Sequence, residues 1–559
     1  MIKINSNYIF VILLLMILAG CEKSLDLTPK DKISDASFWK SSDHFELAAN
    51  DFYFSLKGAH NYTDINSDIA FGGGSDPAGP PLSSVSNGSF LPAANYGLWD
   101  DSYEGIRGVN YLINKAEEST LGSEIDRWVG EALFFRAYHY WNLTKTFGGI
   151  PLITSVLDVD SEELYEQRSS QKETIDFILA DLDNAIAKLP VQSELDVTEM
   201  GRVTKGAALA LKARVALYQG TWEKYHGEGD GQSYLIQAIA AAEQVISSGE
   251  YLLYDEQGDD SYKYLFIEEG DDSKEVILAR RYYLNRATHN WTRELWFNFM
   301  IPTKSLADLY LATDGRPIEQ SPLFQGYDQL VSEFENRDPR MVMTFIVPGS
   351  EIFADGGAMA PTFPGFLGTN ATRTGYMIRK FLGETLEATQ FQGYYDFKEF
   401  RYAEVLLILA EALYEKDGQI SDADLDRTIN LLRGRANMPS LTNNHVTAYG
   451  LDMLTEIRRE RTVELAFEGF RRQDLRRWKT AGDVMPQAIR GVKFAGTEYE
   501  NDPKYQDLEI GTDIQVDANG FIIAEPASSR QFLPKHYLDP LPLQQIQLSR
   551  GTLDQNTGW

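Results

Sequence analysis

Apolar residues recur at helical spacing in several separate segments of the chain. Residues 175–189, 238–245 and 406–413 each place their large apolar side chains on one stripe of a period of about 3.6 residues. Such a stripe is typical of an amphipathic helix with one buried face. The pattern therefore predicts a protein that is built mainly from helices packed side by side.

Two further segments indicate how these helices pack. Residues 128–147 are apolar on more than one face, which predicts a central helix that ends at Gly148. Residues 207–216 contain five alanines, and small side chains let neighbouring helices approach closely. We expect an all-α fold of tetratricopeptide-like helical hairpins in a single large body, although no strict 34-residue repeat is visible.

Two long regions between the helical segments lack this periodicity. Residues 64–96 and 255–392 are rich in Gly, Pro, Asn and Asp and also contain many aromatic residues. Long irregular loops are usually functional or disordered, and disordered segments are poor in aromatic residues. We therefore expect ordered loops that pack against the helical body.

The first residues have the pattern of an export signal. An apolar run at residues 9–18 follows Lys3 and leads into Leu18-Ala19-Gly20-Cys21, as in bacterial lipoproteins. We predict a signal peptide at residues 1–20, lipid attachment at Cys21 and a tether at residues 21–36. The folded domain would then span residues 37–559.

Charge and cysteine content narrow the function. Of the 559 residues, 43% are hydrophobic, which is enough to form a large core. The net charge of −30 argues against binding to nucleic acid, whose phosphates would repel the protein. Cys21 is the sole cysteine, so no intramolecular disulfide is possible.

Glutamates recur at every fourth position from Glu456 to Glu468. This series predicts a structural helix whose charges are neutralised by Arg459, Arg461, Arg471 and Arg472.

Motifs distributed over nearly the whole chain resemble the SusD/RagB family of outer-membrane nutrient-binding lipoproteins of Bacteroidetes. Each motif is short, but together they follow the order of the family. They are LDLTP at residues 25–29, FW at 38–39, GEALFFRAY at 130–138, FGGIPL at 147–152, GRVTKGA at 201–207, NRDPR at 336–340, RYAEVLL at 401–407, EGFRRQDLRRW at 468–478 and QNTGW at 555–559.

This resemblance implies a fold, a location, a partner and a ligand. The fold is an all-α body of tetratricopeptide-like helix pairs, with long irregular loops and a few small strands on one side. Such a protein is anchored by lipid in the outer membrane, faces the cell exterior and covers a SusC-like TonB-dependent outer-membrane barrel. It captures an oligosaccharide or polysaccharide and delivers it to that transporter. A branch of the family that binds peptides or other nutrients is an alternative.

The sequence carries no recognisable catalytic motif. The chain lacks H-E-x-x-H, G-x-S-x-G and P-loop patterns, and its seven histidines are scattered. We therefore predict no catalytic residue, metal site or cofactor. A surface glycoside hydrolase stays an alternative, because it needs only two suitably separated carboxyl groups among 82 acidic residues.

Aromatic residues in the irregular regions are the candidates for ligand binding. Sugar rings rest their C–H faces on flat aromatic side chains, while polar side chains bind the hydroxyl groups. Trp291 and Trp296 lie among polar residues in the second region, and Phe71 and Asp76 lie in the first. The resemblance places the family's ligand-binding residues in these same two regions.

Overall fold

The computed structural model describes residue 35 and residues 38–72, 83–329, 331–354, 357–367, 371–385 and 389–559. The predicted signal peptide, Cys21 and Asp76 lie outside these residues.

Eight helices in the described residues are eleven residues long or more, and we number them α1 to α8. They are α1 Ser42–Phe52, α2 Gly97–Glu117, α3 Asp126–Phe147, α4 Gln171–Lys188, α5 Lys205–His226, α6 Gln232–Ser247, α7 Tyr402–Asp417 and α8 Met453–Glu464. Shorter α-helices connect and flank them: Ser84–Asn87, Ser261–Tyr264, Trp291–Trp296, Lys304–Leu309, Arg340–Thr344, Asp422–Asp426, Ile429–Arg435, Asn443–Ala448, Arg471–Arg477, Ala481–Val484 and Leu543–Leu548.

The long helices form a continuous stack. Each helix from α2 to α6 packs against the next, α6 packs against α7, and α7 packs against α8. Helix α5 can lie between its neighbours because Ala207, Ala210 and Ala213 are fully or almost fully buried and add little width. The all-α, tetratricopeptide-like prediction is therefore confirmed, and we call this stack the helical body.

Local signals in the sequence set the ends of these helices. Helix α3 stops at Phe147 because Gly148 adopts a φ of 76°, a conformation that favours glycine. Helix α4 begins with a capping box, in which the Ser170 hydroxyl accepts from the Glu173 amide and the Glu173 carboxylate accepts from the Ser170 amide. Both signals are local, so the helix boundaries do not depend on the loops.

The strands are short and pair in twos. They are β1 Ala70–Gly72, β2 Val276–Arg280, β3 Met300–Pro302, β4 Phe345–Ile346, β5 Ile352–Ala354, β6 Gly357–Met359, β7 Met377–Ile378, β8 Phe397–Arg401, β9 Ile489–Lys493 and β10 Phe521–Glu525. The antiparallel pairs are β1 with β3, β2 with β8, β4 with β7, β5 with β6, and β9 with β10.

A second apolar core lies among these strands, apart from the core of the helical body. Residues 254–401 and 489–525 supply most of its side chains, and we call them the loop module. Many of these side chains are aromatic, such as Trp291, Phe345, Phe381 and Tyr395. In the loop module, aromatic rings pack against one another at varied angles, whereas the helices pack through regular apolar stripes.

Buried ion pairs join the loop module to the helical body. Glu464, at the end of α8, pairs with Arg340 at 3.0 Å and with Arg401 at 2.8 Å, and it also pairs with Arg435. Burial alone raises the pKa of Glu464, but the three guanidinium groups outweigh it and hold the pKa well below its usual range. Glu464 is therefore an ionised centre in the protein interior.

The partners of the glutamate series differ from those that the sequence predicts. Arg459 does pair with Glu456, but Arg461 pairs with Asp474, Arg471 with Asp68 and Arg472 with Asp539. The glutamates instead take arginines that are distant in sequence. The prediction failed because a buried carboxylate selects the cations that its tertiary environment provides.

Candidate functional site

Two loops of the loop module and one loop outside it form an aromatic surface. They are residues 58–62, 282–299 and 389–393, and we call their exposed face the aromatic surface. The Tyr282 hydroxyl accepts from the Ala59 amide at 3.1 Å. His289 and Gly393 exchange backbone hydrogen bonds of 2.8 and 3.0 Å. These bonds hold the three loops in a fixed relation to one another.

Two aromatic side chains project from this surface. Phe391 is 63% exposed and Tyr283 is 49% exposed. The Phe391 amide donates to the Asn290 Oδ1 at 3.0 Å, and its φ is 57°, a conformation that is uncommon for a bulky residue. The backbone therefore holds the ring of Phe391 outward beside the helix Trp291–Trp296.

A carboxylate links residues 58–62 to the helix Trp291–Trp296. The Tyr62 hydroxyl donates to Glu294 Oε2, and His60 Nδ1 lies 2.5 Å from the same oxygen. Burial, followed by this bond to Glu294, raises the pKa of Tyr62, so the hydroxyl stays protonated. Glu294 thus serves as an acceptor that fastens residues 58–62 to the helix Trp291–Trp296.

Two of the predicted site residues are interior. Trp291 has no exposed area, and its ring packs against Tyr62 and Phe381. Phe71 is 2% exposed, lies in β1 opposite Ile301 and packs in a small apolar cluster. Neither ring has an accessible face for a sugar. Trp291 lies beneath the aromatic surface, in contact with Tyr62, whereas Phe71 packs apart from it, with Ile301 and Ile489.

Trp296 is half-buried and packs against the core of the loop module, so its role in binding stays a prediction. Asp76 lies outside the described residues. The sequence reasoning missed Phe391 and Tyr283. The available signal for Phe391 was its position between Gln390 and Gln392, since a lone aromatic residue in a polar run has little reason to be buried.

Histidine chemistry at this surface is structural. His289 Nδ1 accepts from the Trp291 amide at 3.2 Å, so its Nε2 carries the proton and donates to the Tyr395 carbonyl at 3.0 Å. Burial lowers the pKa of His289 to about 4. The ring is neutral at physiological pH, and both of its nitrogens are engaged.

The described part of the chain offers no group of three metal-binding side chains among His, Cys, Asp and Glu. Its helices also include none that is long and apolar enough to cross a membrane.

Comparison with known proteins identifies the family. The model of the SusD family matches residues 257–559, more than half of the chain. A second model, described as "Starch-binding associating with outer membrane", matches residues 87–217. The chain belongs to the SusD family.

Individual relatives are similar over most of their length. A SusD-like protein of Formosa agariphila is 26% identical over 530 residues, which cover 86% of this chain and 93% of the relative. The crystal structure of a SusD-like carbohydrate binding protein from Bacteroides fragilis superposes with a TM-score of 0.75 at 26% identity, covering 92% of this chain and 99% of the other. A laminarin binding SusD-like protein, with a TM-score of 0.58 at 22% identity, covers 93% of this chain and 99% of its own and shares the fold.

Proposed function

We propose that this protein is a surface glycan-binding lipoprotein without catalytic activity, which captures oligosaccharides on the aromatic surface. The observation that carries the proposal is the exposed ring of Phe391. Its backbone amide donates to the Asn290 side chain, and its loop is hydrogen-bonded to residues 282–299. Similarity to a carbohydrate binding protein of the same family supports it.

The chemistry of the aromatic surface suits a sugar. The exposed rings of Phe391 and Tyr283 offer flat apolar faces to sugar C–H groups. Asn290, Arg293 and His60 lie in the same loops and bring amide, guanidinium and imidazole groups for sugar hydroxyls. Because the loops are already cross-bonded, little conformational entropy is lost on binding.

The content of carboxylates argues against a glycoside hydrolase at this surface. Glu294 is the single acidic residue within residues 58–62, 282–299 and 389–393. Hydrolysis of a glycosidic bond by the usual route needs two carboxyl groups flanking that bond. Glu294 is also occupied by Tyr62 and His60. Binding without turnover is therefore the function that we favour.

The wider assembly is proposed on family grounds. The chain would be attached through lipid at Cys21, face the cell exterior and deliver its ligand to a SusC-like TonB-dependent barrel. The description of the second family model, which mentions the outer membrane, supports this location. The net charge of −30 favours a lipid or protein attachment over electrostatic adhesion to an anionic membrane.

Isothermal titration of the full-length protein in detergent, against a panel of plant, host and microbial glycans and short peptides, tests the proposal. We expect one glycan class to bind, and Phe391→Ala to weaken it by about tenfold, a loss of about 1.4 kcal/mol. Tyr283→Ala and Trp296→Ala extend the test across the surface. Tyr449→Ala is the matched control, because this residue is 43% exposed but lies outside the three loops.

Each contrary result has a distinct meaning. Glycan binding that survives all three substitutions would move the site elsewhere. Binding of peptides alone would replace the ligand class. Shortened glycans in the reaction mixture, detected by chromatography, would overturn the non-catalytic assignment.

A further inference from the structure

A small cavity lies between α3, α5 and the segment that follows α8, and its lining includes none of the residues of the aromatic surface. Its volume is about 40 Å³. A single water needs roughly 10–15 Å³, so this cavity has room for a few waters or one small ion. The walls are formed by Lys57, Trp141, Lys145, Arg214, Leu217, Tyr218, Ile408, Arg461, Gly469, Phe470, Gln473, Asp474 and Arg477.

Cations dominate this wall. Five of the lining residues are Lys or Arg, whereas Asp474 is the one lining carboxylate. Both oxygens of Asp474 are already used: Oδ1 accepts from Arg477 Nε at 2.8 Å, and Oδ2 accepts from Arg461 Nε at 2.8 Å. Asp474 therefore has little capacity to neutralise a further cation.

Two of the five cations have their own carboxylates outside the cavity. Arg214 donates to both oxygens of Glu404 at 2.7 Å, and Arg477 donates to both oxygens of Glu411. These paired groups are satisfied, and they contribute little unbalanced charge to the cavity.

The remaining donors on the wall are incompletely satisfied. Three atoms of lining residues are buried and have no hydrogen-bond partner within the described residues: Arg461 Nη1 and the Tyr218 hydroxyl, which can donate, and Gln473 Oε1, which accepts. Lys145 Nζ donates to Asn142 Oδ1 at 2.6 Å, a neutral acceptor that does not balance the charge of an ammonium group. Buried donors without partners cost free energy, so a group that accepts from them is expected.

The surroundings also concentrate positive charge. Lys57, Arg214 and Arg461 all lie within 5.6 Å of the centre of the Phe470 ring. Desolvation, followed by repulsion from Lys57, lowers the pKa of Lys145 well below its usual range. An anion in the cavity would attract these cations. It would also raise the pKa of Lys145 again, because it favours the charged form of the side-chain amine.

We propose that this cavity binds one small monovalent inorganic anion of the size of chloride, held by Lys145 Nζ, Arg461 Nη1 and the Tyr218 hydroxyl. The volume excludes larger carboxylates and sugar acids. The bound anion ties α3, α5 and α8 together at a point where the protein supplies an excess of cations.

Thermal unfolding of the full-length protein in sodium chloride and in sodium gluconate at matched ionic strength tests the proposal. Screening of the net charge acts equally in both salts, but gluconate is too large for the cavity. We expect a saturable rise in Tm of about 2 °C that occurs only in chloride. Superposable curves in the two salts would mean that the cavity holds water alone and would overturn the proposal.

Variants locate the effect. Tyr218→Phe removes only a hydroxyl and Lys145→Met only a charged end, so both should lose the chloride-specific rise while their gluconate curves stay parallel to that of the parent. Lys416→Met, which removes a surface lysine that pairs with Asp417, is the matched control. Should Lys145→Met fail to fold, crystals of the parent protein in sodium bromide decide: an anomalous peak inside the cavity supports the proposal, and bromide at the surface alone overturns it.

Discussion

The helical body and the loop module are stabilised by different interactions. In the helical body, stripes of apolar residues and small alanines pack helix against helix, as in α4 and α5. In the loop module, aromatic rings interlock and buried arginines bind carboxylates from α8. An irregular fold can thus be as well defined as a helical one when directional contacts replace periodic packing.

The largest expected effect comes from breaking the joint between the two regions. Glu464→Ala leaves Arg340, Arg401 and Arg435 without their shared carboxylate, and the loss of one partner in a buried ion pair costs about 3–5 kcal/mol. We expect calorimetry to show two transitions in place of one, because the remaining pairs, such as Arg340 with Glu460, hold the loop module less firmly and it unfolds before the helical body melts.

Glu243→Ala is the control, since its pair with Arg427 lies at the surface, where such pairs contribute about 0–1 kcal/mol. A single transition in Glu464→Ala, at the unfolding temperature of the parent protein, would contradict the role of Glu464 in joining the loop module to the helical body.

Two tryptophan substitutions test how burial contributes to stability within the loop module. Trp291→Ala removes a fully buried ring and should cost about 3–5 kcal/mol in the free energy of unfolding. Trp296→Ala removes a half-buried ring and should cost clearly less. Hydrogen exchange of Trp291→Ala is expected to show faster exchange in residues 282–299 than in α4. Equal losses in the two variants would refute the difference in burial.

Acid should weaken the helical body through its own buried pair, by a smaller effect than the substitutions above. Burial opposes ionisation of Glu411, but Arg477 outweighs it and lowers the pKa from 4.5 to about 2. A carboxyl group with a lowered folded pKa adds stability above its unfolded pKa, and this stability is lost as pH falls toward the folded value. We expect urea midpoints to fall between about pH 4.5 and pH 2, and to fall less steeply in Glu411→Gln.

Much of the helical body was predictable from local signals. The stripe at residues 175–189 corresponds to α4, and the segment at residues 128–147 corresponds to the central helix α3. The pairing of α6 with α7 was not predictable from the periodicity, because the two helices lie far apart in sequence. Family motifs, rather than hydrophobic pattern, indicated the complete arrangement.

The candidate site was predictable only as a region. Trp291 and Trp296 share a short helix and similar polar neighbours, yet one is buried and the other is half-buried. Exposure depends on which loops cover a ring, and those loops come from residues 58–62 and 389–393. A single sequence does not encode this burial in its local pattern, so it did not distinguish a supporting ring from an exposed one such as Phe391.

The pairing of β2 with β8 brings together the two ends of residues 281–396, since Arg280 lies opposite Phe397. Helix α7 then follows at once and resumes the stack on α6. The cost of closing a loop grows only with the logarithm of its length, by about 0.6 kcal/mol for each doubling. Loops within this segment can therefore lengthen or shorten in evolution at little entropic cost, while β2 and β8 keep its two ends together and Arg340 keeps it paired with α8.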